Sequence, residues 1–317
     1  MNANGYYELA DETDLTWFVT MVNKTDNTVN AVLTADITDY TGPVFGTASL
    51  SYDGTFDGQG HNLNYTSVAA DRWWGLFRRL GGTVKNLRLT GSITTTFDAC
   101  GGLAAHFLNG TIQNVDCGVD IISSFSGNAT YGGVVCRASA AGGVIKDCVF
   151  SGSIQDETAT GCAGIVGWAP NAISLSNILI AGVMEVRESD GNVIARNPNN
   201  CTMQNCYYVN AFGAIPTDVI QVTEEQLENG EVCYMLNGDQ TDIQWTQMLG
   251  TEKRPKPFPG NIVRRNEDGN YYNDGTGIAT VKIQSRDEIF DLTGRKMAKT
   301  KLPNGIYIID GRKVLIK

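Results

Sequence analysis

Histidine is nearly absent: His61 and His106 are the only two in 317 residues. A nucleophilic triad would need one of them, and neither has a Ser or Cys partner at a suggestive spacing. His61 reads as a turn residue after Gly58-Gln59-Gly60, and His106 as a residue at a strand edge. No apolar run approaches the roughly eighteen residues that cross a bilayer, so no membrane span is expected. No CxxC occurs among the eight cysteines, which argues against a metal centre or a disulfide framework. Charge is scarce at 18% and its balance is −10. Phosphate binding needs a basic stripe, so a nucleic-acid partner is not expected. The run Asn266-Glu267-Asp268-Gly269-Asn270 lacks the remaining ligands of a calcium loop and reads as a turn. No metal and no cofactor are expected.

Glycine is abundant, 36 residues against 8 prolines. There is no G-X-Y period, which excludes collagen, and 42% apolar content excludes global disorder. What the glycines accompany is a repeat. One line recurs as Val84-Lys85-Asn86-Leu87, Ile112-Gln113-Asn114-Val115, Ile145-Lys146-Asp147-Cys148, Leu175-Ser176-Asn177-Ile178 and Met203-Gln204-Asn205-Cys206, with starts 28, 33, 30 and 28 residues apart. Each copy then alternates apolar and polar, which is the period of a strand. A second line, Gly75-Leu76-Phe77, Gly102-Leu103-Ala104, Gly133-Val134-Val135 and Gly164-Ile165-Val166, recurs at 27, 31 and 31 residues. Two strand types locked to one period describe a coil whose turns stack as parallel strands.

The expected fold is therefore all-β: a parallel β-helix, or solenoid, with helical caps and a small antiparallel β domain after it. Asn86, Asn114, Asp147, Asn177 and Asn205 form an expected structural ladder, in which short side chains bond the backbone of a corner and the next turn. Cys148 and Cys206 take the slot of Leu87, Val115 and Ile178, and Cys117 that of Leu89, Phe150 and Ile180. They read as small buried hydrophobes; a bridge between Cys201 and Cys206 is the open exception.

Four segments are expected. Residues 1–45 form an N-terminal cap with the first strands, where Leu15, Phe18, Val19 and Val22 mark an amphipathic helix. Residues 46–215 carry the repeats. Residues 216–277 cap the far end: Thr223-Glu224-Glu225-Gln226 opens a helix that stops at Asn237-Gly238. Trp245, Met248 and Leu249 are expected on the last turn, before a linker with Pro255, Pro257 and Pro259. Residues 278–317 form a small sheet with a hairpin at Asp310-Gly311. Charge marks this last boundary: 15 Lys/Arg and 30 Asp/Glu lie before Ile278, and 9 and 4 after it.

Tyr52-Asp53-Gly54-Thr55-Phe56-Asp57-Gly58-Gln59-Gly60-His61, Gly75-Leu76-Phe77 and Gly82-Thr83-Val84-Lys85-Asn86-Leu87 resemble the GLUG-type β-helix proteins of gut Bacteroidetes. Leu236-Asn237-Gly238 followed by Trp245-Thr246-Gln247-Met248-Leu249-Gly250 adds to the likeness. The tail, with Phe290-Asp291-Leu292-Thr293-Gly294-Arg295 and Pro303-Asn304-Gly305-Ile306-Tyr307, resembles the C-terminal sorting-type domains of secreted Bacteroidetes proteins. Gly102-Leu103-Ala104 departs from the motif by lacking its second Gly, and the tail is short. The resemblance implies a right-handed parallel β-helix and export to the cell surface or medium, which favours a Met1 placed after a removed signal peptide over a cytosolic chain, and it implies no catalytic residues.

Three functions compete. A non-catalytic adhesin would contact a glycan or a surface protein through Trp73, Trp74, Tyr131 and Trp168, aromatic residues near the turns. Because neighbours in a strand face opposite ways, one of Trp73 and Trp74 is expected outside. A polysaccharide lyase or glycosidase would need clustered carboxylates. Asp98, Asp116, Asp120, Asp156 and Glu157 form no recurring pair and read as scattered surface groups. A structural spacer, whose shape is its function, is the third reading.

Overall fold

The computed structural model describes residues 1–274 in full, and beyond them the backbone of the strands Ile289–Asp291, Lys296–Met297, Gly305–Ile309 and Arg312–Ile316. The chain divides into two compact units, Met1–Gly277 and Ile278–Lys317.

The first unit is a parallel β-helix of about seven turns. Its long sheet passes through Tyr6–Leu9, Asn30–Leu33, Thr55–Asp57, Thr83–Thr95, Thr111–Ser123, Gly143–Phe150, Ile173–Ile180, Cys201–Tyr208 and Val219–Gln221, each parallel to the next. A second parallel sheet stacks Phe77–Leu80, Ala104–Phe107, Val135–Ala138 and Val166–Trp168. The period-two pattern sets the register. Leu87, Val115, Cys148, Ile178 and Cys206 are successive partners, and all are buried inside the coil.

One residue earlier on each turn lie Asn86, Asn114, Asp147, Asn177 and Asn205, with φ of 52°, 52°, 53°, 53° and 57°. Asn and Asp enter this left-handed region at lower cost than other residues bearing a side chain. Backbone geometry therefore selects these residue types alongside hydrogen bonding. Each amide donates one turn back: Asn114 Nδ2 to Asn86 Oδ1 at 3.1 Å, Asn177 to Asp147 at 2.8 Å, and Asn205 to Asn177 at 2.9 Å. Asn86 Nδ2 donates to Asp57 Oδ1 at 3.0 Å, which extends the row by a turn. One bond is missing. Asp147 has no amide to give Asn114, whose Oδ1 is buried without a partner.

Glycines at the second line are required by contact. A Cβ on Gly102 would stand 2.3 Å from the Gly133 carbonyl oxygen, and one on Gly133 the same distance from that of Gly164. Such a column admits no side chain. All eight cysteines are free, and seven are buried. Cys201 and Cys206 begin and nearly end one strand, roughly 16 Å apart by strand rise, so they form no bridge. Burial pushes the thiols of Cys117, Cys162 and Cys206 up to about 12. These are inert packing groups.

Helix α1 (Glu12–Val22) is capped by Asp11, whose Oδ1 accepts from the Asp14 N–H at 2.9 Å. It buries Leu15, Phe18, Val19 and Val22, and Phe18 meets Phe45 and Tyr52 edge-on. At the far end Thr223 and Gln226 form the expected capping box. The expected single helix is two, α2 (Glu224–Glu228) and α3 (Glu231–Leu236), because Gly230 turns the chain with φ of 91°.

The segment after α3 does not stay on the last turn. It runs back along the outside of the long sheet. Gln244 accepts from Asn114 at 2.9 Å, Arg254 reaches Asp116, and the Arg88 guanidinium lies 5.7 Å from the Phe258 ring centre. Pro255 and Pro257 are buried in this strap rather than forming a free linker. Trp245 and Val263 close an outer core with Val149, Leu179 and Tyr207, the outward-facing residues of three strands. The run Asn266–Asn270 is the turn of a hairpin between Val263–Arg265 and Tyr271–Asn273.

In the second unit, the four strands form an antiparallel sheet in the order Lys296–Met297, Ile289–Asp291, Gly305–Ile309, Arg312–Ile316. The expected strand at Val281-Lys282-Ile283 and the Asp310-Gly311 turn itself lie outside the described residues.

Candidate functional site

On the second sheet, Phe77, Ala104, Val135 and Val166 are buried in the core, and so are Leu80, Phe107, Ala138 and Ala169. Between these two buried columns, Arg79, His106, Arg137 and Trp168 are successive partners that stand outside that core. Each is half-buried. Trp73 joins this row from the preceding corner. Its φ of 69° is rare for a bulky residue and costs on the order of 1–3 kcal/mol. The bend allows Trp74, not Trp73, to bridge Cys100 on the next turn. The Trp73 ring thereby stacks on His106, centres 4.7 Å apart and planes 35° apart.

The Arg137 guanidinium lies 4.5 Å from the centre of the Trp168 ring and 5.8 Å from that of Trp73. Arg72 covers Trp73 at 4.7 Å. Trp73 and Trp168 thus converge through a cation between them, the geometry of paired cation–π contacts. Two of the surrounding arginines have carboxylate partners: Arg72 bonds Asp98 at 2.6 Å and Arg78 bonds Asp71 at 2.7 Å. Arg79 and Arg137 pair with no carboxylate among the described residues, and the Nε of each is buried without a hydrogen bond. Four of the 15 cations before Ile278 meet here.

His106 lies in the middle of its strand rather than at an edge, and its Nδ1 is 2.7 Å from Ser139 Oγ. Burial, and then Arg79, Arg137 and Arg78, lower its pKa to about 4. The ring is neutral at physiological pH. The row consequently keeps its excess positive charge on guanidinium groups, which do not titrate.

The other named aromatic residues lie elsewhere. Trp74 Nε1 donates to Ser67 Oγ at 3.0 Å, and its ring lines a shallow groove with Thr41, Pro43, Thr66 and Val68. Tyr131 is wholly buried in the interior, its hydroxyl donating to the Phe97 carbonyl at 2.7 Å, so it presents no surface to a ligand.

Four of the five named carboxylates have partners within the chain, although Asp156 Oδ2 is buried without one. Asp116, expected on the surface, is buried under the strap, where Arg254 Nη2 donates to both its oxygens at 3.2 and 2.9 Å and Ser151 donates at 2.6 Å. Asp120 accepts from Ser153, Asp156 from Thr158 and the Ala159 N–H, and Asp98 holds Arg72. Glu157 is exposed. Among the described residues, no group of three or more His, Cys, Asp or Glu is placed to hold a metal ion.

No protein-family model matches the sequence, and no curated protein matches it. Among solved structures, the fold matches a Bacteroides ovatus crystal structure described as a "putative immunoglobulin A1 protease". The TM-score is 0.54 at 17% identity, over 80% of this chain and 93% of that one. At that identity the likeness speaks for the β-helix fold. No helix among the described residues is long and apolar enough to cross a membrane.

Proposed function

We propose that this chain is a secreted or cell-surface, non-catalytic β-helix protein that binds a glycan or a surface protein through the outer face of its second sheet. The observation that carries the reading is the row of Trp73, His106, Arg137 and Trp168. Aromatic rings and unpaired cations on a regular face suit a repeating polar ligand better than they suit bond cleavage. The GLUG-type resemblance and the sorting-type tail support export, and the engagement of Asp98, Asp116, Asp120 and Asp156 in structural contacts supports the absence of chemistry. The division into cap, coil, strap and tail at 45, 215 and 277 belongs to the same reading.

A glycan array combined with product analysis on host and plant polysaccharides tests it. Binding without release of reducing or unsaturated ends, weakened by Trp73→Ala or Trp168→Ala, is the expected result. Time-dependent product release would establish a polysaccharide lyase or glycosidase instead, and silence toward glycans and surface proteins alike would leave the spacer.

A further inference from the structure

We infer that the ligand of this row is a linear acidic glycan, its carboxylates or sulfates held by Arg79 and Arg137 while Trp73 and Trp168 take the sugar faces. The inference rests on the binding reading above and narrows it to one chemical class.

Charge complementarity carries the argument. The protein is acidic overall, yet this face holds Arg72, Arg78, Arg79 and Arg137 against only Asp71 and Asp98 as ion-pair partners. Arg79 and Arg137 have no carboxylate partner among the described residues, and a carboxylate or sulfate would supply one through the terminal Nη groups of the planar fork, the Nε of each being buried. Arg79 and Arg137 stand two rungs apart on the same sheet, roughly 10 Å by strand spacing. An acid group on alternate sugar rings recurs at a comparable interval along a chain. His106, on the rung between them, is kept neutral, so the fixed positive charges of this column fall on alternate rungs. Trp73, held in its costly backbone conformation, and Trp168 flank Arg137 on this face.

The test titrates the full chain calorimetrically at low salt with polygalacturonate oligomers, with chondroitin sulfate oligomers, and with fully methyl-esterified galacturonate oligomers. The third probe keeps the first one's backbone and removes its charge. Binding is expected for at least one acidic probe, and preference for chondroitin sulfate, which carries sulfate beside carboxylate, over the carboxylate-only galacturonate would assign the contact to sulfate. Arg79→Gln and Arg137→Gln are each expected to weaken it about tenfold, roughly 1.4 kcal/mol, and to flatten its salt dependence. Lys24→Gln, at an exposed cation elsewhere, is expected to leave it unchanged. Circular dichroism and the melting temperature establish that each variant is folded. Equal affinity for the methyl ester, or acidic binding indifferent to both Arg variants, overturns the acidic class while glycan binding survives. No binding to these probes or to any neutral glycan overturns the acidic-glycan inference, and silence toward surface proteins as well overturns the binding reading beneath it.

Discussion

Two outward rows run along this coil, and they have been treated differently by the rest of the chain. On the long sheet, Arg88, Asp116, Val149, Leu179 and Tyr207 are neighbours from turn to turn, and the strap covers them. On the second sheet, Arg79, His106, Arg137 and Trp168 are neighbours in the same way, and each remains half-buried. The first row has its needs met within the chain: apolar residues meet α2, α3 and Trp245, and Asp116 meets Arg254. The second keeps two cations without a carboxylate. Outward direction in a solenoid does not by itself define a binding face. The unmet chemistry of a row does.

Mutations separate the two rows by size of effect. Leu179→Ala removes an outward residue that is nevertheless core, and is expected to cost about 3 kcal/mol in denaturant unfolding. A cost below about 0.5 kcal/mol would mean that the strap does not pack there. Arg254→Ala leaves Asp116 buried with Ser151 and a distant Arg88 at 3.9 Å, so a loss of about 2–3 kcal/mol is expected. Faster hydrogen exchange in α3 and in the strap should accompany it.

Asp147→Asn is expected to stabilise by about 1 kcal/mol at neutral pH, because it restores the missing donor to Asn114 Oδ1. Burial raises the Asp147 carboxyl above 3.8, against the opposing bond from Asn177 and the charge of Lys146. A raised carboxyl pKa means that the folded state takes up its proton more readily than the unfolded state. Its stabilising share therefore grows as pH falls through the raised value toward 3.8 and vanishes at neutral pH. A protonated Asp147 donates as an amide would, so the advantage of the Asn variant should narrow in acid. A gap that stays constant from neutral to acid pH would count against this account of the broken bond. Smallest of all, Arg137→Gln on the bare row is expected to change stability by less than about 0.5 kcal/mol. A loss as large as that of Arg254→Ala would make Arg137 a structural residue and erase the contrast.

The coil was legible because its information is local and repeated. A fixed offset from each Asn to the next apolar residue determines both strand type and register, and Asn114, Asp147 and Asn177 stand on consecutive turns accordingly. Asp57 escaped notice because the chain turns at Gly58-Gln59 before a matching apolar pair appears. The strap was not legible, since Arg254 meets Asp116 across 138 residues of sequence. A signal for it did exist. Cys148-Val149-Phe150 and Ile178-Leu179-Ile180 are unbroken apolar runs, which a strand shows when both its faces are buried. Part of the candidate site was also readable. Trp73 and Trp168 stand out as aromatic residues near turns, whereas nothing in their immediate sequence marks Arg79, His106 and Arg137 as site residues. All three, with Trp168, sit four residues after the Gly of the second line, at Gly75, Gly102, Gly133 and Gly164. The left-handed bend that aims Trp73 at them has no counterpart in the repeat.

His106 reports on the bare row from within. Its ring faces Arg79, Arg137, Arg78, Trp73 and Ser139, and burial with the three arginines holds its pKa near 4. Acid groups seated on Arg79 and on Arg137 would offset those charges. Nuclear magnetic resonance titration of His106, assigned against a His61→Gln variant, with and without the acidic oligosaccharide that binds, is the most direct measurement. The account predicts a ring that titrates at clearly higher pH when the ligand is present. A ligand that binds and leaves the titration of His106 where it was would contradict it.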